Sequence, residues 1–303
     1  MKFGIMGMGM GMGGHIVSLY LRSHGHDVTA FSRDSLNIFS RINNLLNYYN
    51  IINIINAVKL DVNNELERLG EIISNQNFDV IINCTGVLNQ NAENNHADAV
   101  YINSFLPHYL AKITKNLNTK IIHLSTDCVF SGARGGYLDN DIPDGQSFYA
   151  RSKALGELND NKNLTLRLSI IGPDMNYDGI GLLNWFMKQT ERVKGFSGAI
   201  WTGQTTLQLA KTIEFAAENN ITGLINAVPD ASINKFELLK LFNKYIRREP
   251  IIIEEDLNFN SDKSLIRSSY DKFNYKIPGY EEMIIELADW MRCHKEFYPH
   301  YKL

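Results

Sequence analysis

The chain has 303 residues, 44% of them apolar and 21% charged, and carries a net charge of −3. That is enough to bury a sizeable core, as one large domain or two small ones, in a soluble globular protein. The charge gives no electrostatic basis for binding nucleic acid or an anionic membrane surface, and no apolar run is long enough to span a bilayer.

The first residues lack a basic region followed by an apolar signal segment; Met1-Lys2 runs straight into a strand pattern. Cys84, Cys128 and Cys293 are unrelated in spacing, which argues against a disulfide framework or a zinc site. A reducing cytoplasm is the expected compartment.

Residues 2–6 read as a first strand, leading into Gly7-Met8-Gly9-Met10-Gly11-Met12-Gly13-Gly14-His15. A helix over 16–22 and a second strand over 27–31 follow. Strand, glycine turn and helix bring bare backbone N–H groups to a helix N-terminus, where a pyrophosphate binds well. Gly9-x-Gly11-x-x-Gly14 fits the general dinucleotide fingerprint. The second strand ends in Ser32-Arg33 with no acid at its tip. A carboxylate there would accept from a ribose 2′-hydroxyl, whereas Arg suits a 2′-phosphate, so NADPH is favoured over NADH.

Residues 36–64 are rich in Asn and Ile, and Leu36, Phe39, Ile42, Leu45 and Leu46 lie close to helical spacing. A third strand is predicted over 57–60, a helix over 66–73, and a fourth strand over 78–83 that ends in Cys84-Thr85-Gly86. Asn103 sits in a helical pattern, YINSFLPHYLA.

Ile121, Ile122 and Leu124 form an apolar run that stops at Ser125-Thr126-Asp127, as a buried parallel strand would. After a Gly-rich acidic loop, Tyr149-Ala150-Arg151-Ser152-Lys153 opens a helix. The four-residue spacing places phenol and ammonium on one face of it. A strand-end hydroxyl, a phenol and an amine thereby converge on one point. A nearby ammonium favours a phenolate, and a tyrosine otherwise holds its proton to about pH 10. The spacing alone is weak evidence, since Tyr298 and Lys302 repeat it around Pro299 with no strand before them.

A sixth strand over 164–168 ends in Ser169-Ile170. From Asp174 the strand-helix alternation gives way to loops and isolated helices over 182–190 and 204–218, with Trp201-Thr202-Gly203 between them. A short strand over 224–227 follows. Ser232 is the expected cap of a helix running to Tyr245, and residues 283–291 form the last helix. No internal repeat and no linker separating independent domains is present.

STDCVFSG followed by FYARSKALGE resembles the extended short-chain dehydrogenases of the dTDP-4-dehydrorhamnose reductase type, whose pattern is STDYVFDG…YGRSKLxGE. The resemblance runs from residue 1 to roughly residue 210. It implies a doubly wound parallel Rossmann-type α/β sheet over 1–170. A smaller, mainly substrate-binding domain would cover 171–303, with some segments returning to the first. Gly7-x-x-x-Gly11-x-Gly13 matches the short-chain dehydrogenase spacing, while Met10 stands where the extended family's GxxGxxG has its middle glycine.

Residue by residue, the resemblance makes Thr126, Tyr149 and Lys153 the catalytic triad. It assigns the cofactor to Gly7, Gly9, Met10, Gly11, Met12, Gly13, Ser32 and Arg33, then to Asp61 and Val62 at the adenine. Cys84, Thr85 and Gly86 fall under the nicotinamide ribose, Asn103 props the catalytic Lys, and Ser125, Ser169 and Ile170 complete the set. Val87, Thr126, Asp127, Val129, Phe130, Tyr149 and Trp201 fall to the substrate.

The implied reaction is reduction of the C4 ketone of a nucleotide-linked 4-keto-6-deoxyhexose by NADPH, with NADH as second cofactor. The substrate is of the dTDP-4-dehydrorhamnose type or the UDP-2-acetamido-2,6-dideoxy-hexos-4-ulose type, the wording of the motifs leaning to the latter. A homodimer is compatible with this reading. Cys128 occupies the slot where the related GDP-L-fucose synthases, in SSCIYP, carry an acid/base for epimerisation, so a bifunctional epimerase-reductase is a further expectation. The regulatory subunit of methionine adenosyltransferase shares the fold and binds NADP without catalysis, and it is the alternative. Dehydration is disfavoured, because Asp127-Cys128 supplies only half of the Asp-Glu pair that dehydratases use.

Overall fold

The computed structural model describes residues 1–8, 12–33 and 55–303. The helically spaced apolar positions from Leu36 to Leu46 and the cofactor assignments of Gly9, Met10 and Gly11 lie outside them.

Strands β1 (Lys2–Met6), β2 (Asp27–Ser32), β3 (Asn56–Lys59), β4 (Val80–Asn83), β5 (Lys120–Leu124), β6 (Leu164–Arg167) and β11 (Gly223–Asn226) form one sheet. Its order is β11-β6-β5-β4-β1-β2-β3, and every pairing is parallel. The order reverses between β1 and β4, and ligands of open α/β sheets bind outside the strand ends at such a point. The central strands are apolar because helices cover both faces. Ile5, Ile81, Ile82, Ile121, Ile122, Leu164 and Leu166 are fully buried, each side chain contributing about 1.5–3 kcal/mol.

The covering helices are α1 (Gly14–Ser23), α2 (Leu66–Gln76), α3 (Leu106–Ile113), α4 (Phe148–Leu155) and, later in the chain, α6 (Thr206–Glu218). A wide helical turn, Val100–Phe105, leads directly into α3 and carries Asn103.

Beyond residue 171 the chain is less loop-like than its sequence implies. Between α5 (Leu182–Met187) and α8 (Tyr280–Cys293), β8 (Arg192–Phe196) pairs in parallel with β13 (Ile252–Asp256). Strand β9 (Ala199–Trp201) lies between β12 (Ile233–Asn234) and β14 (Ser261–Asp262), while β7 (Ser169–Ile171) pairs with β10 (Gly203–Thr205). The helix α7 (Lys235–Tyr245) is capped by Asn234, whose Oδ1 accepts from the Glu237 N–H at 2.8 Å. That corrects the expected Ser232 cap: Ser232 is exposed and precedes β12.

One apolar core joins the sheet to the later helices, from Phe3 and Ile5 to Phe242, Met283 and Tyr298. Tyr298 is buried and its hydroxyl lies 2.9 Å from His15 Nε2, in the first turn of α1. Among the described residues, no helix is long and apolar enough to cross a membrane.

Candidate active site

The glycine turn after β1 is shaped by two close approaches. Gly7 has φ +83°, and a Cβ there would stand 3.0 Å from the Cys84 carbonyl carbon. At Gly14 a Cβ would lie 2.5 Å from the Gly7 carbonyl oxygen. Gly7 therefore lies tight against the end of β4 and Gly14 tight against Gly7. Ile170 packs across from Gly13, and the Met12 sulfur lies against Gly181.

Beside this turn is a cavity of about 520 Å³. It brings together Gly7, Ser32, Arg33, Val62, Cys84, Thr85, Gly86 and Val87, contributed by the ends of β1, β2, β3 and β4. Asn63, Asp98 and Asn176 also border it; sequence reasoning missed them, and no motif marks them. Asp61 stands just behind. Its carboxylate accepts from the Asn63 N–H at 3.1 Å and from the Asn64 amide at 3.2 Å, so it shapes the turn that presents Val62 and Asn63.

The floor of the cavity is held by a buried polar chain. The Thr85 N–H donates to Asn83 Oδ1 at 3.1 Å, and the Asn83 amide lies 3.2 Å from His123 Nδ1. Burial pushes His123 well below the usual imidazole range, so the ring is neutral. Burial also pushes the Cys84 thiol up to about 12, against the opposing pull of Lys153.

At the end of β5, Thr126 is extended and caps the short turn Asp127–Val129 by accepting from the Cys128 N–H at 3.1 Å. Its hydroxyl donates to Asp127 Oδ1 at 3.1 Å and is among the groups that act on the Tyr149 phenol. Helix α4 starts with Ser147 as cap, accepting from the Ala150 N–H at 3.0 Å, while Glu93 accepts from the Tyr149 N–H at 3.1 Å. The Tyr149 ring packs with Ala92 and Ala99, beside Val87, Cys128 and Phe148. Burial, aided by Cys128 and Asp127, raises the phenol above its ordinary range despite Thr126. Lys153 is not among the groups that shift it, so the expected lowering by the ammonium is not what the structure has.

Lys153 is buried one turn further along α4, and its Nζ donates to the Leu124 carbonyl at 2.7 Å. Burial lowers it to about 8, with Glu157 and Cys84 opposing. Asn103 reaches Lys153 only through its neighbour: its amide exchanges two bonds with the Val87 backbone at 2.8 and 2.9 Å and donates to Ser152 Oγ at 3.0 Å. It thus positions the Val87 turn and α4. Ser125 is likewise engaged elsewhere, donating to Glu157 Oε1 at 2.7 Å.

Three calls on the substrate side meet a core instead. Val129 and Phe130 are fully buried, and the Phe130 ring lies between Tyr137, stacked at 4.1 Å, and the Arg167 guanidinium. Trp201 is 3% exposed and packs against Tyr280. Large apolar side chains after a strand end are as readily used for packing as for ligands.

Near Asp127 and Cys128 stand two lysines absent from the sequence reading, Lys235 and Lys263. Burial raises the Asp127 carboxyl, while Lys235 and Lys263 pull it back down. Lys235 is the first residue of α7 and lies over the Trp201 ring at 5.4 Å. A cation opposes the helix dipole at that position, which is the one sequence signal that could have singled it out. Burial and Asp127 push the Cys128 thiol up to about 11, opposed by Lys263.

The RmlD substrate binding domain family matches residues 1–171. The chain belongs to that family. A dTDP-4-dehydrorhamnose reductase of Mycobacterium tuberculosis is 40% identical over 85 residues, a match spanning 26% of this chain and only 28% of that relative. A hypothetical dTDP-4-dehydrorhamnose reductase of Sulfolobus tokodaii superposes with a TM-score of 0.73 at 26% identity, covering 93% of this chain and 98% of that one. The dTDP-4-dehydrorhamnose reductase of Bacillus anthracis, crystallised with NADP, gives the same TM-score of 0.73 at 19% identity, over 94% and 98% of the two chains. These likenesses cover more than nine-tenths of this chain, beyond the family match.

Proposed function

We propose that this chain reduces the C4 ketone of a nucleotide-diphospho-4-keto-6-deoxyhexose with NADPH. The observation that carries the reading is buried Lys153, one turn from buried Tyr149 on α4, with its Nζ bonded at 2.7 Å to Leu124 at the end of the strand that leads to Thr126. When bound, the nicotinamide supplies the hydride.

The residues present fit that cofactor. Gly7 and Gly14 let backbone approach a pyrophosphate, Ser32 and Arg33 offer a hydroxyl and a cation to a ribose 2′-phosphate, and Cys84-Thr85-Gly86 line the cleft. The NADP of the Bacillus anthracis neighbour supports the same choice. Thr126 then hydrogen-bonds the ketone oxygen and Tyr149, kept protonated by its burial, donates the proton that completes the alcohol. Lys153 fixes the end of β5 and presents its charge to the cofactor ribose.

The names of the Mycobacterium, Sulfolobus and Bacillus relatives support dTDP-4-dehydrorhamnose as the first substrate to try, ahead of the UDP-linked 2-acetamido-2,6-dideoxy-hexos-4-ulose. NADPH consumption with dTDP-, UDP- and GDP-linked 4-keto-6-deoxy sugars tests the proposal. NADPH binding without turnover of any of them sinks it, and favours a non-catalytic NADP-binding subunit of the methionine adenosyltransferase type.

Cys128 raises a second reading, a 3-epimerase/4-reductase. Its thiol faces Asp127 and stays protonated at neutral pH, so it can donate a proton but abstracts one only if Lys263 is drawn closer. Reaction in D₂O decides: deuterium on ring carbons beside C4, lost in Cys128→Ser, supports epimerisation, and a product without it leaves a plain reductase.

A further inference from the structure

The strands β1 and β2 carry the cofactor cleft at their C-terminal ends. At their other end, where β2 begins, a second group of polar side chains converges. His24-Gly25-His26 connects α1 to β2, and Gly25 has φ +85° with nothing within 4 Å of where a Cβ would stand. Through this turn both imidazoles reach the same carboxylate on α6. His26 Nε2 lies 2.9 Å from Glu214 Oε1, while His24 Nδ1 lies 2.9 and 3.1 Å from the two Glu214 oxygens. The Tyr20 hydroxyl donates to Glu214 Oε2 at 3.0 Å. Glu218 follows one turn later on the same face of α6.

A ring nitrogen of His26, a Glu214 oxygen and a Glu218 oxygen all lie within 4.8 Å of one another. Four-coordinate ligands at about 2.0–2.2 Å from an ion stand roughly 3.5 Å apart, so a small closure of these side chains brings the set into range. The set is graded from inside to outside: His26 is buried, Glu214 half-buried and Glu218 exposed, which gives an ion a route in from solvent. The backbone of His26 is also fixed, its carbonyl accepting from Arg22 Nη1 at 2.8 Å.

We propose that His26, Glu214 and Glu218 bind one divalent ion of the zinc class, with His24 and Tyr20 orienting the Glu214 carboxylate. A mixed imidazole and carboxylate set suits Zn²⁺ or Co²⁺, whereas Mg²⁺ and Ca²⁺ take oxygen ligands. The ion replaces the His26–Glu214 hydrogen bond. With the metal on Nε2 the ring proton sits on Nδ1, so the Met1 ammonium, 3.3 Å away and itself a donor, must turn aside or give up a proton when the ion binds. The bound ion cross-links the α1–β2 turn to α6 and lies at the opposite end of the strands from the cofactor cleft. It is therefore a structural ion, independent of the reductase reading.

The test uses the full chain, stripped with EDTA and dialysed, titrated calorimetrically with ZnCl₂ and, in parallel, with MgCl₂. One equivalent of Zn²⁺ should bind saturably, Mg²⁺ should not compete, and Zn²⁺ should raise the melting temperature. Co²⁺ should give a visible absorption band that Zn²⁺ displaces. Glu218→Gln, a change at an exposed position that leaves folding intact, should weaken Zn²⁺ by at least about tenfold and abolish the thermal shift. His26→Gln should do the same. Absence of one-to-one Zn²⁺ binding, equal binding of Mg²⁺, or Zn²⁺ binding undiminished in Glu218→Gln each overturns the proposal.

Discussion

The ammonium of Lys153 is anchored to the carbonyl of Leu124, the last residue of β5, at 2.7 Å. This bond ties the helix that carries Tyr149 to the strand that carries Thr126, so both hydroxyls are set by one short link. It also places a charge where water is excluded, and that charge has a measurable signature.

Lys153 is lowered by burial to about 8, below the 10.5 of an ordinary lysine. Between those values the unfolded chain binds more protons than the folded one, so folding stability rises as pH rises through that window. Below pH 8 the buried charge is a constant cost, on the order of 3 kcal/mol. Lys120, also lowered to about 8, adds its own share. Because the raised Cys84 and Cys128 thiols pull the other way above pH 9, the Lys153 share is read as the difference between the unmutated chain and Lys153→Met in urea unfolding at pH 8 and 10.5, the variant gaining less over that window. An unchanged slope in the variant would refute the assignment.

Tyr149→Phe keeps the ring packing against Ala92 and Ala99 and removes only the hydroxyl. Turnover should fall by about 10²- to 10⁴-fold, while NADPH affinity stays nearly unchanged. Stopped-time assays of NADPH oxidation alongside cofactor titration separate the two quantities.

Arg33 is exposed at the rim of the cavity, directly after Ser32. NADPH should bind several-fold more tightly than NADH, and Arg33→Ala should erase the preference by removing a charge-assisted contact to the 2′-phosphate. Titration calorimetry giving equal affinities in the unmutated chain would end this account of specificity.

Behind the triad, Arg167 and Glu157 form a buried bidentate pair at 2.7 and 2.6 Å, with Ser125 donating to the same carboxylate. Arg167→Met would strand Glu157 as an unpaired buried charge, at a cost of about 3–5 kcal/mol. Glu157→Gln, which can still accept from Ser125, should cost less than Arg167→Met by denaturant unfolding; the reverse order would show that the pair is not what holds this region.

Much of this site is written locally. The Lys2–Met6 run, the Ser125-Thr126-Asp127 stop and the Tyr149/Lys153 spacing each act within a few residues, and each emerges in the fold where its pattern places it. What the sequence conceals is decided at long range. Strands β8 and β13 are five residues each and pair across a gap of some 60 residues, so neither signals its partner. Ser232 and Asn234 are equally good caps by type, and only the β12–β9 pairing selects Asn234. Phe130 looks like a ligand contact until Tyr137 and Arg167 close around it. Lys235 and Lys263 act on Asp127 from more than a hundred residues further along the chain, beyond any motif.

The bond between His15 and Tyr298 spans 283 positions of sequence. At about 5–20 residues per second, a ribosome needs on the order of 15 to 60 seconds to travel from one to the other. For that interval the first helix exists without the aromatic side chain that packs against its opening turn. The first helix is thus synthesised early and packed last. A nascent chain offers chaperones a long period in which α1 is made but not yet braced.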